Sequence, residues 1–304
     1  MTYDVIIIGG GPSGLAAALE AGRGRLNTLV LTTGVARNFV TQESHGFLTN
    51  DSKHPSEIVK AAVAQFEKYP SIDYRVEKAT ATEKTEAGFK VVTEKGTYET
   101  RRLMIASGHT DYLDCLNLNG IDEVYGKSVY PCPFCDGFEH ADETWALFGA
   151  YGIEHFMPML RIWTQNVVTF TNGRAVEDEV KAAFHARGLD IHEAPVKQII
   201  SENGKMSHVE LETGEKIACT TGFLMDDYSY PSTDFAEKLG ATQDFDAGFM
   251  GKAVADDMGK TKIDGLYVVG DARAGFVGVT GSVSEGAKCM DGIIHEIAME
   301  RWYS

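Results

Sequence analysis

The chain has 304 residues, 43% hydrophobic and 10% aromatic, which predicts a globular protein of about two domains rather than a disordered chain. Its formal net charge of −16 argues against nucleic acid and anionic membranes as partners, because phosphate-rich surfaces attract basic proteins. No apolar run is long enough to cross a bilayer, and residues 1–4 lack the layout of a secretory signal, so we expect a cytoplasmic protein. Five cysteines, an odd number, argue against a disulfide framework.

The first predicted unit is a strand, a glycine-rich turn and a helix. Residues 5–8 are apolar and β-branched, as in a strand buried on both faces, and a good helix-forming segment starts at Leu15. A G-x-G-x-x-G pattern in this context is typical of a dinucleotide site, because glycine permits a tight turn, close approach of a pyrophosphate and close helix packing. The helix N-terminus then faces the phosphates. The candidate cofactor contacts in this turn are Gly9, Gly11, Pro12, Ser13 and Gly14.

The second strand is predicted over residues 29–31. An acidic side chain that binds a ribose hydroxyl is expected near its end, but Thr32 stands there, and its hydroxyl is a weaker candidate for that contact. Asn38 and His45 follow in a polar connection. We predict that both contact the cofactor, although a single histidine can also be a packing or capping residue.

Residues 55–69 have the apolar spacing of an amphipathic helix, and residues 72–106 resemble a β-meander that returns to a sheet. The predicted meander ends at Ser107 and Gly108. Both residues are small and permit close approach of a neighbouring backbone, so both are candidate cofactor contacts.

The middle of the chain carries Cys132-Pro133-Phe134-Cys135-Asp136. Two cysteines at this spacing can close a small disulfide ring, and the carboxylate is placed to move a proton to or from a departing thiol. The alternatives are half of a structural zinc site or a buried thiol pair. Zinc would need a second cysteine pair. The remaining cysteines are isolated from one another in sequence, so no metal site is predicted; they are Cys115, Cys219 and Cys289.

Near the end of the chain, residues 265–269 predict another buried strand, followed by Gly270 and Asp271. An acidic side chain at the carboxyl end of such a strand lies where ligands bind in α/β sheets. A helix is predicted to start at residues 280–284, and Val279, just before it, is a further candidate cofactor contact.

In this order, the glycine turn, Ser107-Gly108, the cysteine motif and Gly270-Asp271 resemble the low-molecular-weight thioredoxin reductases over nearly the whole chain. The resemblance implies an α/β fold with two Rossmann-like, three-layer ββα dinucleotide-binding domains. A FAD domain in two segments, 1–112 and 246–304, would be interrupted by an NAD(P)H-domain-like unit, 113–245, that carries the cysteines. It also implies a homodimer, FAD held by the glycine turn and Asp271, Cys135 facing the flavin, Cys132 exchanging with substrate, and Asp136 as the acid/base.

The inserted unit departs from the reductase pattern. After a predicted strand at residues 145–148, Tyr151 stands where a second glycine is needed and Glu154 where a small residue is expected. A tyrosine ring would crowd a pyrophosphate and a glutamate would repel it. Of the His-Arg-Arg cluster that such reductases use for the 2′-phosphate, only Arg174 remains.

These departures leave the electron partner open. The leading hypothesis is a FAD-dependent thiol/disulfide oxidoreductase that cycles Cys132 and Cys135 between dithiol and disulfide and lacks a normal NADPH site. Its substrate would be a thioredoxin-like protein or a small dithiol, and its electron partner oxygen, ferredoxin or NAD(P)H. The alternatives are an NAD(P)H-dependent thioredoxin-disulfide reductase and a non-catalytic flavin redox sensor.

Overall fold

The computed structural model describes residues 2–304, with the side chains of Thr2 and Phe249 excepted. The chain forms two compact units. The first comprises the described chain up to Phe39, together with His54–Thr110 and Ser229–Ser304. The second comprises Val40–Lys53 and Asp111–Tyr228.

This division differs from the predicted bounds in two places. The chain re-enters the first unit near residue 229 rather than 245, because Phe235 and Ala241 are buried in the core of that unit. The segment Val40–Lys53 belongs to the second unit. There the carbonyl of Val40 lies so close to Gly126 that a Cβ at Gly126 would be 2.6 Å from its oxygen.

The first unit is built on a seven-stranded sheet. The long strand Thr97–Ile105 has two halves with different neighbours: its first half pairs antiparallel in the meander, and its second half pairs parallel with the last strand of the sheet. The parallel strands end close together at the edge where ligands bind in such sheets. The strands are Thr2–Ile8, Thr28–Thr32, Ile72–Val76, Ala79–Thr85, Gly88–Thr93, Thr97–Ile105 and Leu266–Val268.

Two helices pack on one face of this sheet, the N-terminal helix Pro12–Arg23 and the C-terminal helix Gly278–Tyr303. They approach so closely that a Cβ at Gly286 would lie 2.0 Å from the carbonyl oxygen of Ser13. The C-terminal helix starts two residues before the predicted start. The other helices and 3₁₀ turns of this unit are Arg37–Val40, Pro55–Ala64, Gln65–Lys68, Phe235–Lys238, Gly248–Met250 and Asp271–Ala274. Short strand pairs are His109–Asp111 with Ser229–Pro231 and Phe245–Asp246 with Lys252–Ala253.

The second unit has a five-stranded parallel sheet and a three-stranded antiparallel sheet. The strands of the parallel sheet, in spatial order, are Asp190–His192, Val167–Phe170, Trp145–Phe148, Thr221–Leu224 and Val129–Tyr130. Those of the antiparallel sheet are Val196–Glu202, Lys205–Leu211 and Lys216–Ala218. The helices and the 3₁₀ turn are Leu113–Leu116, Ile121–Val124, Pro133–Asp136, Ile153–Leu160 and Asp178–His185.

The sequence of residues 160–163 also predicts a long helix there, and this prediction is wrong. The helix ends at Leu160, and the chain turns so that Trp163 stacks on Trp145 with ring centroids 6.2 Å apart. Within residues 2–304 no helix has both the length and the apolar character that a bilayer span requires.

Candidate functional site

The cysteine motif, residues 132–136, occupies a single helical turn that follows the strand Val129–Tyr130. Cys132 is extended, with φ of −147°, and Pro133 starts the turn at its fixed φ. The backbone N–H groups of Cys135 and Asp136 both donate to the Cys132 carbonyl, at 3.1 and 3.2 Å. Since one turn carries little of a helix dipole, the side chains around the cysteines set most of their electrostatic environment.

The two cysteines differ in exposure. Cys132 is buried and Cys135 is half-buried, while the neighbouring Phe134 and Phe138 are 69% and 80% exposed. Two exposed aromatic side chains close to Cys135 in sequence form an apolar surface beside the motif.

Asp136 is 8% exposed, and its environment raises the pKa of its carboxyl to about 7. Burial is the main cause, and negative charge on Cys132 and Glu139 adds to it, whereas His45 acts in the opposite direction. A carboxyl with a pKa near neutrality can both accept and donate a proton under physiological conditions. Such a group beside two cysteines is suited to proton transfer with their thiols.

The other two buried cysteines differ from the motif. Burial raises the pKa of Cys219 to about 12, and burial together with nearby carboxylates raises the pKa of Cys289 further. Since the thiolate is the reactive form, neither is suited to exchange chemistry. Across residues 2–304, no three His, Cys, Asp or Glu side chains group in a way that could hold a metal ion.

The glycine turn of the first unit has the three features that a bound pyrophosphate requires. Gly9 has φ of +125°, and a Cβ there would lie 2.1 Å from the Ala106 carbonyl oxygen, so the tight turn demands glycine. A Cβ at Gly14 would lie 2.0 Å from the Gly9 carbonyl oxygen, which fixes close helix–strand packing. At Gly11 a Cβ would meet nothing within 4 Å, which leaves an open cradle at the helix N-terminus. The turn therefore fits a dinucleotide.

Other predicted cofactor contacts lie against this turn. A Cβ at Gly10 would be 2.6 Å from the Thr32 hydroxyl, and a Cβ at Gly270 would be 2.7 Å from the Ser13 hydroxyl. Thr32 is buried, and its hydroxyl accepts a hydrogen bond from the Gly34 N–H at 3.1 Å, so part of its bonding capacity is already used.

Asp271 follows the last strand of the sheet, as predicted from the sequence. Its Oδ1 accepts from the Val277 N–H at 2.9 Å and its Oδ2 from Arg37 Nη1 at 3.3 Å. Burial raises the pKa of Asp271, while the Val277 N–H and Arg37 oppose that effect. Arg37 also lies over the Phe276 ring, 5.6 Å from its centroid. The sequence prediction missed this arginine as a partner of Asp271, because 234 positions separate them and no local signal links them.

The remaining predicted contacts are distributed over both units. The Ser107 hydroxyl lies 2.9 Å from that of Thr233, and Gly108 has φ of +62°. Asn38 lies in the 3₁₀ turn Arg37–Val40 of the first unit. Val279 lies in the first turn of the C-terminal helix. His45 is in the second unit instead, where its Nδ1 lies 3.7 Å from Glu139 Oε1.

The corresponding turn of the second unit is built differently. It follows the strand Trp145–Phe148, and its helix starts after Gly152, which has φ of +67°. Tyr151 is 77% exposed, and the guanidinium of Arg174 lies over its ring, 5.7 Å from the centroid. Arg174 Nη1 donates to Asp226 Oδ1 at 2.8 Å, and its Nη2 donates to Asp226 Oδ2.

A polar cavity of about 420 Å³ adjoins this pair and is lined by Tyr151, Arg174, Asp226 and Asp227 among others. Since Asp226 pairs with Arg174, this wall of the cavity offers an ion pair rather than an unpaired positive charge.

Comparison with known proteins places this geometry among relatives. The sequence pattern of the pyridine nucleotide-disulphide oxidoreductases matches residues 3–288. The chain is similar to a putative thioredoxin reductase from Bacillus anthracis, with a TM-score of 0.91 and 28% identity over 98% of this chain and 99% of that one. It is also similar to an oxidoreductase from Agrobacterium tumefaciens, with a TM-score of 0.87 and 32% identity over 98% and 99%. These likenesses confirm the predicted α/β fold with two Rossmann-like units.

A probable thioredoxin reductase from Arthroderma benhamiae is 35% identical over 188 residues, which are 58% of this chain and 46% of that protein. The match to this relative therefore spans about half of its length.

Proposed function

Since the chain belongs to the pyridine nucleotide-disulphide oxidoreductase family and is a FAD-dependent oxidoreductase of the thioredoxin reductase type, we propose that it catalyses thiol/disulfide exchange through Cys132 and Cys135. The observation that carries the proposal is the buried Asp136, with a pKa of about 7, on the same helical turn as both cysteines. It supports a site that moves protons as well as electrons.

In the oxidative direction, a thiolate of a substrate dithiol attacks the Cys132 sulfur, and the Cys132–Cys135 bond breaks with Cys135 leaving. The second substrate thiol then attacks the mixed disulfide and releases Cys132. Two electrons pass from the substrate, which becomes a disulfide, to the enzyme pair, which becomes a dithiol. Asp136 gives a proton to the departing thiol or takes one in the reverse direction.

The first unit is the proposed FAD site. Gly9, Gly11 and Gly14 would hold the pyrophosphate at the helix N-terminus, and Asp271 would face the cofactor from the carboxyl end of the last strand, at the same edge of the sheet. When bound, FAD supplies two-electron chemistry between the cysteine pair and an outside electron partner. The further contacts proposed from the sequence are Pro12, Ser13, Thr32, Asn38, Ser107, Gly108, Gly270 and Val279.

We further propose that NAD(P)H is not that outside partner. Tyr151 occupies the position of the second glycine, and Arg174 is already paired with Asp226. A pyrophosphate there would meet a tyrosine ring and carboxylates instead of an open glycine and free cations. The residues of the second unit therefore do not fit a nicotinamide dinucleotide, which favours oxygen or ferredoxin as the partner.

The test of the cysteine pair uses single substitutions. Cys132→Ser and Cys135→Ser should each abolish dithiol turnover and leave a yellow, FAD-loaded protein, while Cys115→Ser at the exposed thiol should change neither. Full turnover in Cys135→Ser would contradict the assignment.

The test of the electron partner is anaerobic mixing of the oxidised flavoprotein with one equivalent of NADH, NADPH or a small dithiol such as dithiothreitol. The dithiol should bleach the flavin absorbance, and air should restore it if oxygen is the acceptor. Rapid bleaching by stoichiometric NADPH would establish the second candidate function instead, an NAD(P)H-dependent thioredoxin-disulfide reductase. Reduction by thiols without turnover on any acceptor would indicate a redox sensor.

The thioredoxin reductase relatives support a thioredoxin-like protein as one substrate class, and a homodimer as the assembly. The exposed Phe134 and Phe138 are compatible with a small apolar dithiol as the other class. Comparing turnover of reduced thioredoxin with that of a small dithiol separates these classes. We also propose a cytoplasmic location, because glutathione and thioredoxin keep thiols reduced in that compartment and a reactive cysteine pair can cycle there.

A further inference from the structure

Glu285, on the C-terminal helix, joins two parts of the turn that follows the last strand of the first unit. Its Oε2 accepts a hydrogen bond from the Gly270 N–H at 2.9 Å. Its Oε1 accepts from Arg273 Nε at 3.1 Å and from Arg273 Nη2 at 2.8 Å. The side chains of Glu285 and Arg273 are only 16% and 10% exposed. One carboxylate therefore holds both a backbone N–H group and a buried cation.

The Gly270 N–H depends on this carboxylate because of the conformation of the backbone. The sheet hydrogen bonds end at Val269, whose N–H donates to the Ile105 carbonyl at 3.0 Å. Gly270 then turns away with φ of 67° and ψ of −155°, a conformation essentially restricted to glycine. Since Gly270 is buried, its N–H requires a partner within the protein, and Glu285 supplies it.

This contact lies beside the glycine turn. A Cβ at Gly270 would be 2.7 Å from the Ser13 hydroxyl oxygen, and a Cβ at Gly286 would be 2.0 Å from the Ser13 carbonyl oxygen. Ser13 is in the first turn of the N-terminal helix. Because Glu285 immediately precedes Gly286 and binds Gly270, it ties the end of the last strand to the C-terminal helix where both approach Ser13.

Arg273 lies two residues after Asp271, in the same short helix, Asp271–Ala274. Its Nη1 is buried and makes no hydrogen bond to the residues that the structure describes. The nearest recorded carboxylate for this atom is the exposed Asp257, with Oδ1 at 3.6 Å. Glu285 therefore supplies the hydrogen bonds of the arginine head group. Without Glu285 the turn would carry a buried and poorly paired charge next to Asp271.

We propose that Glu285 and Arg273 are positioning residues of the FAD site: the buried pair fixes the backbone at Gly270, and with it the carboxylate of Asp271, beside the glycine turn. The inference rests on the proposed placement of FAD in the first unit. Neither side chain contacts FAD in this role. Because the pair orders the turn before the cofactor arrives, less ordering remains to be done on binding, and the affinity for FAD is higher.

The experiment measures the dissociation constant of FAD. The FAD-loaded, full-length protein is diluted serially, and the fluorescence of released FAD is read at equilibrium; far-UV circular dichroism checks that each variant is folded. Glu285→Ala should raise the dissociation constant by about 30-fold, because both sets of hydrogen bonds are lost. Arg273→Met should raise it by about tenfold. Glu285→Gln keeps an oxygen that can accept from the Gly270 N–H, so the increase should be only about fivefold.

The matched control is Glu296→Ala, about 16 Å further along the same helix. Glu296 lies 3.8 Å from the buried Arg102 and accepts from Lys260 at 2.8 Å, so its removal also breaks an ion pair of the first unit. This variant should melt at a lower temperature than the wild type, while its dissociation constant for FAD should stay within about twofold.

Wild-type FAD affinity in Glu285→Ala and Arg273→Met would overturn the inference. An equal loss of affinity in Glu296→Ala would also overturn it, because general destabilisation would then explain the effect. If Glu285→Ala does not fold, Glu285→Gln and Arg273→Met decide by the same measurement. Failure of the proposed function would look different: a protein without thiol exchange would still show these affinities, whereas wild-type FAD affinity in Gly11→Ala would contradict the FAD site itself.

Discussion

Asp136→Asn should separate catalysis from stability. In the folded protein burial raises the pKa of Asp136 from 3.8 to about 7, so above pH 7 the fold must hold a carboxylate that the unfolded chain ionises freely. A difference of about three units corresponds to about 4 kcal/mol. This amount is lost from the wild-type free energy of unfolding as the pH rises from about 4 to about 7. Asparagine carries no charge and avoids the loss.

We therefore expect Asp136→Asn to lose proton transfer, with turnover lower by about 100-fold or more, while its free energy of unfolding near pH 8 exceeds that of the wild type by up to about 4 kcal/mol. Near pH 5 the difference should shrink to about 1.5 kcal/mol, because both states of the wild type then keep more of the proton. The stability gain must thus increase with pH.

Urea denaturation followed by tryptophan fluorescence measures this effect in the appropriate unit. Trp145 and Trp163 both lie in the second unit, and Trp163 contacts Phe134 of the cysteine motif with ring centroids 5.5 Å apart. The measurement is made with the cysteine pair reduced, since charge on Cys132 contributes to the shift. The control is Asp190→Asn, at an exposed carboxylate of the same unit. A stability difference that is absent, or that does not depend on pH, would refute the reasoning.

Three further experiments test other parts of the structure. In Gly11→Ala the free energy of unfolding should stay within about 1 kcal/mol of the wild type, but the variant should bind FAD poorly. In Gly14→Ala the free energy of unfolding should fall by about 1–3 kcal/mol, because its Cβ would lie 2.0 Å from the Gly9 oxygen. Thermal melts and flavin absorbance per protein distinguish the two variants, and a yellow Gly11→Ala protein would contradict an open pyrophosphate cradle at Gly11. Arg174→Met should lower the free energy of unfolding by about 1–2 kcal/mol, because it leaves Asp226 unpaired. The rate of flavin reduction by NADPH should not change in this variant. A slower reduction would show that the arginine binds the nucleotide. Iodoacetamide near pH 8 should label the exposed Cys115 in the native protein but not the buried Cys219. With a pKa of about 12, Cys219 is a thiolate in roughly one molecule in 10⁴ at that pH. Mass mapping of the labelled peptides checks this, and label on Cys219 would contradict it.

The parts of the site that the sequence predicted are those encoded locally. The glycine turn could be recognised because Gly9, Gly11 and Gly14 lie within six consecutive residues and each has a separate steric reason. The strand ends at Ala106 and Asp271 followed from short apolar runs, because such runs predict buried strands wherever they occur. A local pattern also identified the cysteine motif, since a disulfide ring and its acid need only five residues.

The parts that the sequence did not predict depend on contacts between distant segments. The Arg37–Asp271 pair joins positions 234 residues apart, and nothing in the periodicity of either segment indicates the other. The placement of His45 depends on the loop Val40–Lys53 joining the second unit, although the chain on both sides of it belongs to the first. The predicted helix through residues 160–163 is a further miss, since the helix ends at Leu160 and Trp163 packs on the distant Trp145 instead.

Both units contain a strand, a turn and a helix in succession, but the two turns are built from different residues. In the first unit each glycine of the turn is needed: Gly9 and Gly14 for the backbone, and Gly11 for the open space at the helix N-terminus. In the second unit the backbone turns at Gly152, so the position of the second glycine is free to carry Tyr151. Its ring and Asp226 engage Arg174, and the interactions of that arginine stay within the protein. The second turn therefore carries a tyrosine in contact with an internal ion pair, whereas the first turn leaves an open space at Gly11.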